Sequence, residues 1–413
     1  MIVEKPASAE PATSAYLDYA AATPLDPEVL EAMTPYLTGR FYNPSAPYAL
    51  ARSVRADVEA ARATAARCIG ARPGNVTFTA GATEANNLAF AAADGHVVTD
   101  AVEHESVLAC AEARSHAIVG VGPDGRVDPE DVLSAVTPVT QLVSVSLANG
   151  EIGCVQPVRE LARMMAGLRE KRLAAGDLTP LYLHVDASQA ASCLTVDVGS
   201  IGCDLLTLSA AKIGGPKQVG LLWASDDVVL RPLVLGGGQE GGLRSGTENV
   251  AGIIGFARAL ELVCARRREE SRRLASLRGR LERGLLAEFP WAQVSGPKKE
   301  KFRLPGLLHV SFPGLEARRL VIGLEREGVS VGTGSACAAS KMRVSHVLRA
   351  IGMPEEAAAG SLRMTLGRPT TQAEVDYAVA AVTRVVRAEM SRLGISDGQA
   401  AANAARIMGG GRQ

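Results

Sequence analysis

Short apolar runs alternate with segments of helical periodicity over the first half of the chain. The apolar runs lie at 75–79, 96–99, 117–121, 141–147, 181–185, 204–208 and 219–223. They are continuous rather than alternating, which is typical of strands buried on both faces of a parallel sheet. Helical segments such as 82–92 and 158–165 separate them. The pattern predicts an α/β fold whose large domain has a mostly parallel, seven-stranded sheet flanked by helices.

The pattern changes near residue 250, where one helical stretch rich in Arg, Leu and Ala runs to 288. A later apolar run at 307–312 begins a smaller α/β unit. We therefore expect a large domain over 16–262 and a small domain built from 1–15 and 263–394. The last segment, 395–413, lacks an evident apolar periodicity and is expected to be a disordered tail.

Composition limits the classes of function. The 413 residues suit two or three domains, and 44 basic residues balance 44 acidic ones. Nothing in this balance indicates a nucleic-acid or membrane surface. No apolar run is long enough to span a membrane and the N-terminus lacks a signal-peptide pattern, so we expect a cytoplasmic protein. The seven scattered cysteines favour neither a disulfide framework nor a metal site.

One cysteine stands in an unusual setting, the run VGTGSACAAS at 331–340. The run has neither strand nor helix periodicity, so Cys337 is expected on an exposed, mobile loop near 331–342. Two interpretations remain open on these residues alone. Cys337 is either the small residue that fits a tight connection, or a nucleophile that needs an electrophile elsewhere in the chain.

Groups suited to pyridoxal phosphate follow three of the predicted strands. Gly81–Thr83 lead into a helix N-terminus, where free N–H groups suit a phosphate. Asp186 ends the strand at 181–185, and Lys212 lies in SAAKIGGP, a setting poor in solvating groups that favours a neutral, nucleophilic amine. An anion site, a carboxylate for the ring nitrogen and a Schiff-base lysine are what this cofactor needs.

Eight segments, in this order, resemble the signature segments of a known family. They are YLDYAAATPLDP, FTAGATEANN, VEHESVL, NGEIGCVQP, HVDASQA, GGGQEGGLRSGTENV, GTGSACAAS and SLRMTLGRPTT. The chain resembles the NifS/IscS-type cysteine desulfurases, which are fold-type I, class V aminotransferase-like pyridoxal phosphate enzymes, over about 16–390. The loop around Cys337 is similar to that of the long-loop subgroup with Ser-Ala-Cys.

The resemblance implies a reaction and a set of roles. L-cysteine would become L-alanine, with its sulfur held as a persulfide on Cys337 and passed to an acceptor protein such as an iron–sulfur scaffold. Lys212 would form the Schiff base and His104 would stack on the cofactor ring and assist proton transfer. The other residues that would contact the cofactor are Ala82, Thr83, Asp186, Gln189 and Ser209. Thr247 would reach across a homodimer interface to the cofactor of the second subunit. Asn43 and Arg363 would hold the substrate carboxylate.

Two positions depart from the family pattern. Ala211 stands where the family usually has a His that contacts the phosphate, and Gly150 stands where it usually has an Asn that contacts the ring hydroxyl. These departures predict weaker cofactor retention, which Ala211→His with Gly150→Asn is expected to improve. Selenocysteine lyase, class V transaminase and a low-activity paralogue acting as partner or scaffold in sulfur mobilisation remain as alternative functions.

Overall fold

The computed structural model describes residues 13–333 and 345–409. Its strands are β1 Ala15–Leu17, β2 Val76–Thr79, β3 His96–Asp100, β4 His116–Val119, β5 Thr140–Ser144, β6 Tyr182–Asp186, β7 Leu205–Ser209, β8 Gly220–Ala224, β9 Gln293–Val294, β10 Leu307–Ser311, β11 Val329–Val331 and β12 Ser361–Thr365.

The α-helices are α1 Pro27–Leu37, α2 Ala49–Cys68, α3 Ala82–Phe90, α4 Glu105–Glu112, α5 Pro129–Ser134, α6 Val158–Ala174, α7 Val198–Ile201, α8 Val250–Glu288, α9 Ala317–Arg326, α10 His346–Ala350, α11 Glu355–Ala358, α12 Gln372–Arg392 and α13 Asp397–Gly409. Short 3-10 helices cover Pro73–Asn75, Ala210–Lys212, Glu240–Gly242 and Glu300–Phe302. None of the helices in the described ranges is long and apolar enough to cross a membrane.

The main sheet has seven strands in the order β2-β8-β7-β6-β5-β3-β4. Strand β8 pairs antiparallel with both β2 and β7, and the other neighbouring pairs are parallel. Each apolar run predicted as a strand lies in this sheet, with its ends shifted by a few residues at most. The prediction of a mostly parallel, seven-stranded sheet is therefore confirmed.

A second unit follows the long helix α8. Strands β9, β10 and β12 form an antiparallel sheet, while β1 returns to pair in parallel with β11. Most buried apolar residues of α8 as far as Leu262 belong to the hydrophobic cluster around the main sheet. Those from Leu274 onward belong to the cluster around the second unit, at the helical spacing 274, 277, 281 and 285. The exact domain limits stay a prediction.

The expectation of a disordered tail over 395–413 is wrong for most of that segment. Residues Asp397–Gly409 form helix α13, and Ala400, Ala404 and Ile407 are buried. The spacing of these three residues places them on one helix face, and the segment is rich in alanine, the strongest helix former. The stripe is narrow and made mainly of small side chains, so it was not recognised as an apolar face. Residues 410–413 lie outside the described part of the chain.

Candidate active site

A cavity of about 590 Å³ lies at the carboxyl ends of the main sheet's parallel strands. Open α/β sheets bind their ligands at this edge, because the loops that follow parallel strands meet there. The cavity brings together eight of the predicted site residues. They are Ala82, Thr83, His104, Asp186, Gln189, Ser209, Lys212 and Arg363.

Lys212 ends the short 3-10 helix that follows β7. Its Nζ donates hydrogen bonds to the carbonyl oxygens of Ala20 and Ala21, at 2.8 and 2.7 Å. Burial, followed by the positive charge of Arg363, lowers the pKa of Lys212. A lower pKa raises the fraction of neutral amine, the form that attacks an aldehyde. The position and protonation of Lys212 therefore suit a Schiff-base lysine.

Asp186 lies at the carboxyl end of β6, and both carboxylate oxygens accept hydrogen bonds. Oδ2 accepts from Asn86 Nδ2 and Oδ1 accepts from the Ser188 N–H, each at 2.9 Å. Asn86 is fully buried on α3 and also donates to Ser106 Oγ at 2.9 Å. These donors hold both carboxylate oxygens in place, and a carboxylate is the group that pairs with a protonated ring nitrogen. Asn86 thus positions Asp186, a role that was not predicted.

His104 caps the N-terminus of α4 with its side chain. Its Nδ1 accepts from the Ser106 N–H at 3.1 Å, so the neutral ring carries its proton on Nε2. Burial lowers the pKa of His104, although the nearby Asp186 carboxylate acts in the opposite direction. The cap fixes one edge of the imidazole and leaves the other available to the cavity.

The N-terminus of α3 forms the candidate phosphate site. Gly81 precedes the helix with φ of 132°, in the region that favours glycine, and no side chain caps the first turn. The nearby Glu84 carboxylate is ion-paired with Arg244 at 3.0 Å. The uncapped N–H groups of Ala82 and Thr83 and the positive end of the helix dipole suit an anion.

Arg363 reaches the cavity from β12 in the second unit. Its Nη2 bonds to Asp18 Oδ1 at 2.8 Å and its Nη1 donates to the Gly150 carbonyl at 3.2 Å. Its buried Nε has no hydrogen-bond partner among residues 13–333 and 345–409. These two contacts orient the planar guanidinium group at the cavity wall, and a planar guanidinium suits recognition of a carboxylate. The contact with Asp18 was not predicted.

Gln189 occupies the space beside Gly150. Its Nε2 donates to the Ala20 carbonyl at 3.1 Å. A Cβ atom added at Gly150 would lie 2.8 Å from both Cγ and Cδ of Gln189. An asparagine at 150 would therefore require the Gln189 side chain to move, and the gain in cofactor retention from Ala211→His with Gly150→Asn stays a prediction.

Two buried carboxyl groups were missed in the sequence, Glu103, which lines the cavity, and Asp100, which neighbours Glu103. Glu103 follows β3 and accepts hydrogen bonds from the Ser146 N–H and Oγ. Burial, and then the neighbouring Asp100 carboxylate, raise the pKa of Glu103 well above its usual value. Burial also raises the pKa of Asp100 to about 7. The acidic residues of the segment VEHESVL were a possible signal, but their burial was not evident from the sequence.

Two of the predicted site residues that the structure describes are not brought into this cavity. Asn43 and Thr247 are exposed and do not line it. Cys337 lies outside the described residues.

Comparisons with known proteins identify the family of this chain. The family model for class-V aminotransferases matches residues 15–378. "Cysteine desulfurase IscS" of Clostridium botulinum (strain Hall) is 38% identical over 392 residues, covering 92% of this chain and 96% of that protein. "Cysteine desulfurase IscS 1" of Archaeoglobus fulgidus is 40% identical over 374 residues, covering 87% and 94% respectively.

Solved structures show the same likeness. A structure described as "NIFS-LIKE PROTEIN" superposes with a TM-score of 0.81 at 30% identity, covering 91% of this chain and 99% of its own. A structure described as "SspA in complex with cysteine" has a TM-score of 0.72 at 30% identity, covering 86% and 99%. Family match, sequence relatives and architecture point the same way, and this chain belongs to the class-V aminotransferase family.

Proposed function

We propose that this protein is a pyridoxal phosphate-dependent cysteine desulfurase, which converts L-cysteine to L-alanine and receives the sulfur as a persulfide on Cys337. The observation that carries the proposal is the meeting of the Lys212 amine, the Asp186 carboxylate and the N-terminus of α3 in one cavity. The sequence relatives, which are named cysteine desulfurases, support the choice of reaction within the family.

The residues of the cavity fit pyridoxal phosphate. The uncapped first turn of α3, with Ser209 beside it, would hold the phosphate, Asp186 would pair with the ring nitrogen and Lys212 would hold the aldehyde carbon. When bound, the cofactor supplies an electron sink for the charge that develops at the substrate Cα. Gln189, which lines the same cavity, would contact the ring hydroxyl.

Three side chains of the protein would carry out the other steps of the proposed reaction. Arg363 binds the substrate carboxylate, and its contacts with Asp18 and Gly150 orient it for that task. Lys212, with its lowered pKa, accepts the Cα proton as a neutral amine. The Cys337 thiolate then bonds to the substrate sulfur while the C–S bond breaks, which leaves a persulfide on Cys337 and alanine as the second product.

We also propose that the protein acts as a homodimer and transfers the persulfide sulfur to an acceptor protein such as an iron–sulfur scaffold. Thr247 is exposed and lies outside the cavity wall of its own chain, which supports a role towards the cofactor of a second copy. Sedimentation of the active protein tests this, since a monomer with full activity would contradict it.

Product analysis tests the proposed reaction. Purified protein with saturating pyridoxal phosphate, L-cysteine and a thiol reductant is expected to release alanine and sulfide in equal amounts. Cys337→Ser should abolish alanine release while cofactor binding persists. Cys68→Ser is the control, because Cys68 is a half-buried cysteine outside the cavity, and this variant should release alanine at the parent rate.

Other outcomes identify the alternative functions. Alanine release at the parent rate from Cys337→Ser would reject the role of the thiolate. A keto acid formed from the amino acid would indicate a transaminase, and turnover confined to selenocysteine would indicate a lyase. No product from fully loaded protein would favour a role as partner or scaffold.

A further inference from the structure

Two half-buried cysteines meet where the C-terminal end of helix α2 packs against helix α8. Cys68 is the last residue of α2, and Cys264 lies on α8. The Cys264 thiol donates to the Cys68 carbonyl oxygen at 3.6 Å, although the two residues are 196 positions apart in the chain. The Cys68 thiol in turn donates a hydrogen bond to the Cys264 sulfur. The two sulfur atoms are therefore neighbours, and both side chains are partly exposed to solvent.

The other cysteines in the described ranges have different surroundings. Cys110, Cys154 and Cys203 are buried, and burial raises the pKa of each thiol. Cys193 is half-buried like Cys264, but its sulfur lies 3.4 Å from the Ser192 hydroxyl rather than beside a second thiol. A partly exposed thiol with another thiol in contact is therefore a feature of the α2–α8 contact.

A positive charge also lies at this contact. Arg267, one helical turn after Cys264, donates a hydrogen bond to the Cys264 sulfur. The hydrogen bond from Cys68, and after it the charge of Arg267, lower the pKa of Cys264 to about 6, although burial acts in the opposite direction. The hydrogen bond to Cys264 and burial raise the pKa of Cys68, and the nearby charges of Arg67 and Glu261 oppose each other there. Since the thiolate is the nucleophile in thiol–disulfide exchange, Cys264 is suited to react first and Cys68 second.

We propose that Cys68 and Cys264 form a redox-active dithiol that reacts with small disulfides. The Cys264 sulfur attacks one sulfur of the small disulfide, whose S–S bond breaks and releases the first small thiolate. Cys68 then gives up its proton to the second leaving thiolate as its sulfur attacks Cys264, so the mixed disulfide breaks and a Cys68–Cys264 disulfide forms. The two protein thiols are oxidised, and the small disulfide is reduced to two thiols.

The geometry suits this closure and separates it from the proposed desulfurase reaction. A disulfide requires two sulfur atoms to approach to about 2.05 Å, and these two already contact each other through a hydrogen bond. Neither cysteine lines the cavity that contains Lys212. Formation of the disulfide therefore does not depend on the reaction that the active site performs.

Peptide mapping of the reduced, cofactor-loaded protein after incubation with glutathione disulfide at neutral pH tests the proposal. The expected product is a pair of peptides joined through Cys68 and Cys264, lighter by two hydrogen atoms than its reduced parts. Cys68→Ser should instead accumulate glutathione on Cys264, because the resolving thiol is missing. Cys193→Ser is the matched control, since it removes a half-buried cysteine away from this contact, and it should form the joined pair as the parent does.

A second pair of variants tests the contribution of charge. Arg267→Met should slow modification of Cys264 about threefold or more, because the thiolate loses a charged donor. Arg268→Met is the control, because Arg268 is the next residue on the same helix and is exposed. Circular dichroism reports that each variant is folded, and Cys337→Ser should form the joined pair whether or not it turns over cysteine. Absence of the pair from the treated parent overturns the proposal, as does an unchanged rate in Arg267→Met or a lack of mixed disulfide in Cys68→Ser.

Discussion

Replacing Gly150 by alanine is expected to weaken cofactor binding through Gln189. The added methyl carbon would lie 2.8 Å from two carbon atoms of Gln189, whereas unstrained carbon contacts are about 3.5–4.0 Å apart. Either the overlap persists as strain, or Gln189 turns away and loses its bond to the Ala20 carbonyl and its proposed contact with the ring hydroxyl. Strain that is present in both the free and the loaded protein does not change affinity, but loss of a hydrogen bond to the charged ring oxygen costs about 1.5–3 kcal/mol, so the dissociation constant for pyridoxal phosphate should rise about tenfold to a hundredfold.

A double-mutant cycle measures whether Gln189 carries the effect. Apo-protein is titrated with pyridoxal phosphate for the parent, Gly150→Ala, Gln189→Ala and the double variant. Gly150→Ala should cost much less in the Gln189→Ala background, giving a coupling free energy of about 1 kcal/mol or more. Gly167→Ala is the matched control, because nothing lies within 4 Å of the added Cβ there. Equal losses in both backgrounds would refute the reasoning, as would tighter binding by Gly150→Asn alone.

Three further changes are expected to have measurable effects. The purified protein should show a visible absorption band that borohydride abolishes, and Lys212→Ala should lack the band; a band that persists in this variant would exclude Lys212 as the Schiff-base residue. A hydrogen bond from Cys68 lowers the pKa of Cys264 to about 6, whereas burial raises the pKa of Cys154 well above its usual value. Iodoacetamide at pH 7 should therefore label Cys264 much faster than Cys154, as measured by peptide mapping, and equal labelling rates would contradict this. Burial lowers the pKa of His309 to about 3, so the protein is stabilised by the neutral ring above about pH 6.5 and loses that stability as the pH falls towards 3. The free energy of unfolding, measured in urea, should decrease between pH 7.5 and 5 by about 2 kcal/mol less in His309→Leu than in the parent. An unchanged decrease would assign the acid sensitivity to other groups.

The strands of the main sheet and the edge where the site lies were predictable from local pattern. Continuous apolar runs are typical of strands buried on both faces, and parallel strands bring their carboxyl ends to one edge. Asp186 and Lys212 both follow such runs, so their convergence required only the strand assignments. The family resemblance added roles for residues such as His104 that the pattern alone would not have assigned.

The contacts that orient these groups depend on tertiary structure, because they join residues far apart in the chain. Asn86 and Asp186 are 100 positions apart, and Asp18 and Arg363 are 345 apart. Periodicity within a segment reports which face is buried, but not which polar atoms meet across elements. The same limit explains why the closeness of the Gln189 side chain to Gly150 was not evident from the sequence.

The formation of helix α13 depends on both the local sequence and tertiary packing. Its alanine content favours a helix, but a short alanine-rich segment is only marginally stable alone in water. Ala400 and Ala404 join the hydrophobic cluster of the second unit, where close packing of small side chains supplies the missing stability. The sequence by itself determined the α/β class, the strands and the chemistry available at their ends. Only the tertiary structure decided how each site group is oriented, which cavity it faces and whether the last segment folds, because those outcomes depend on long-range packing.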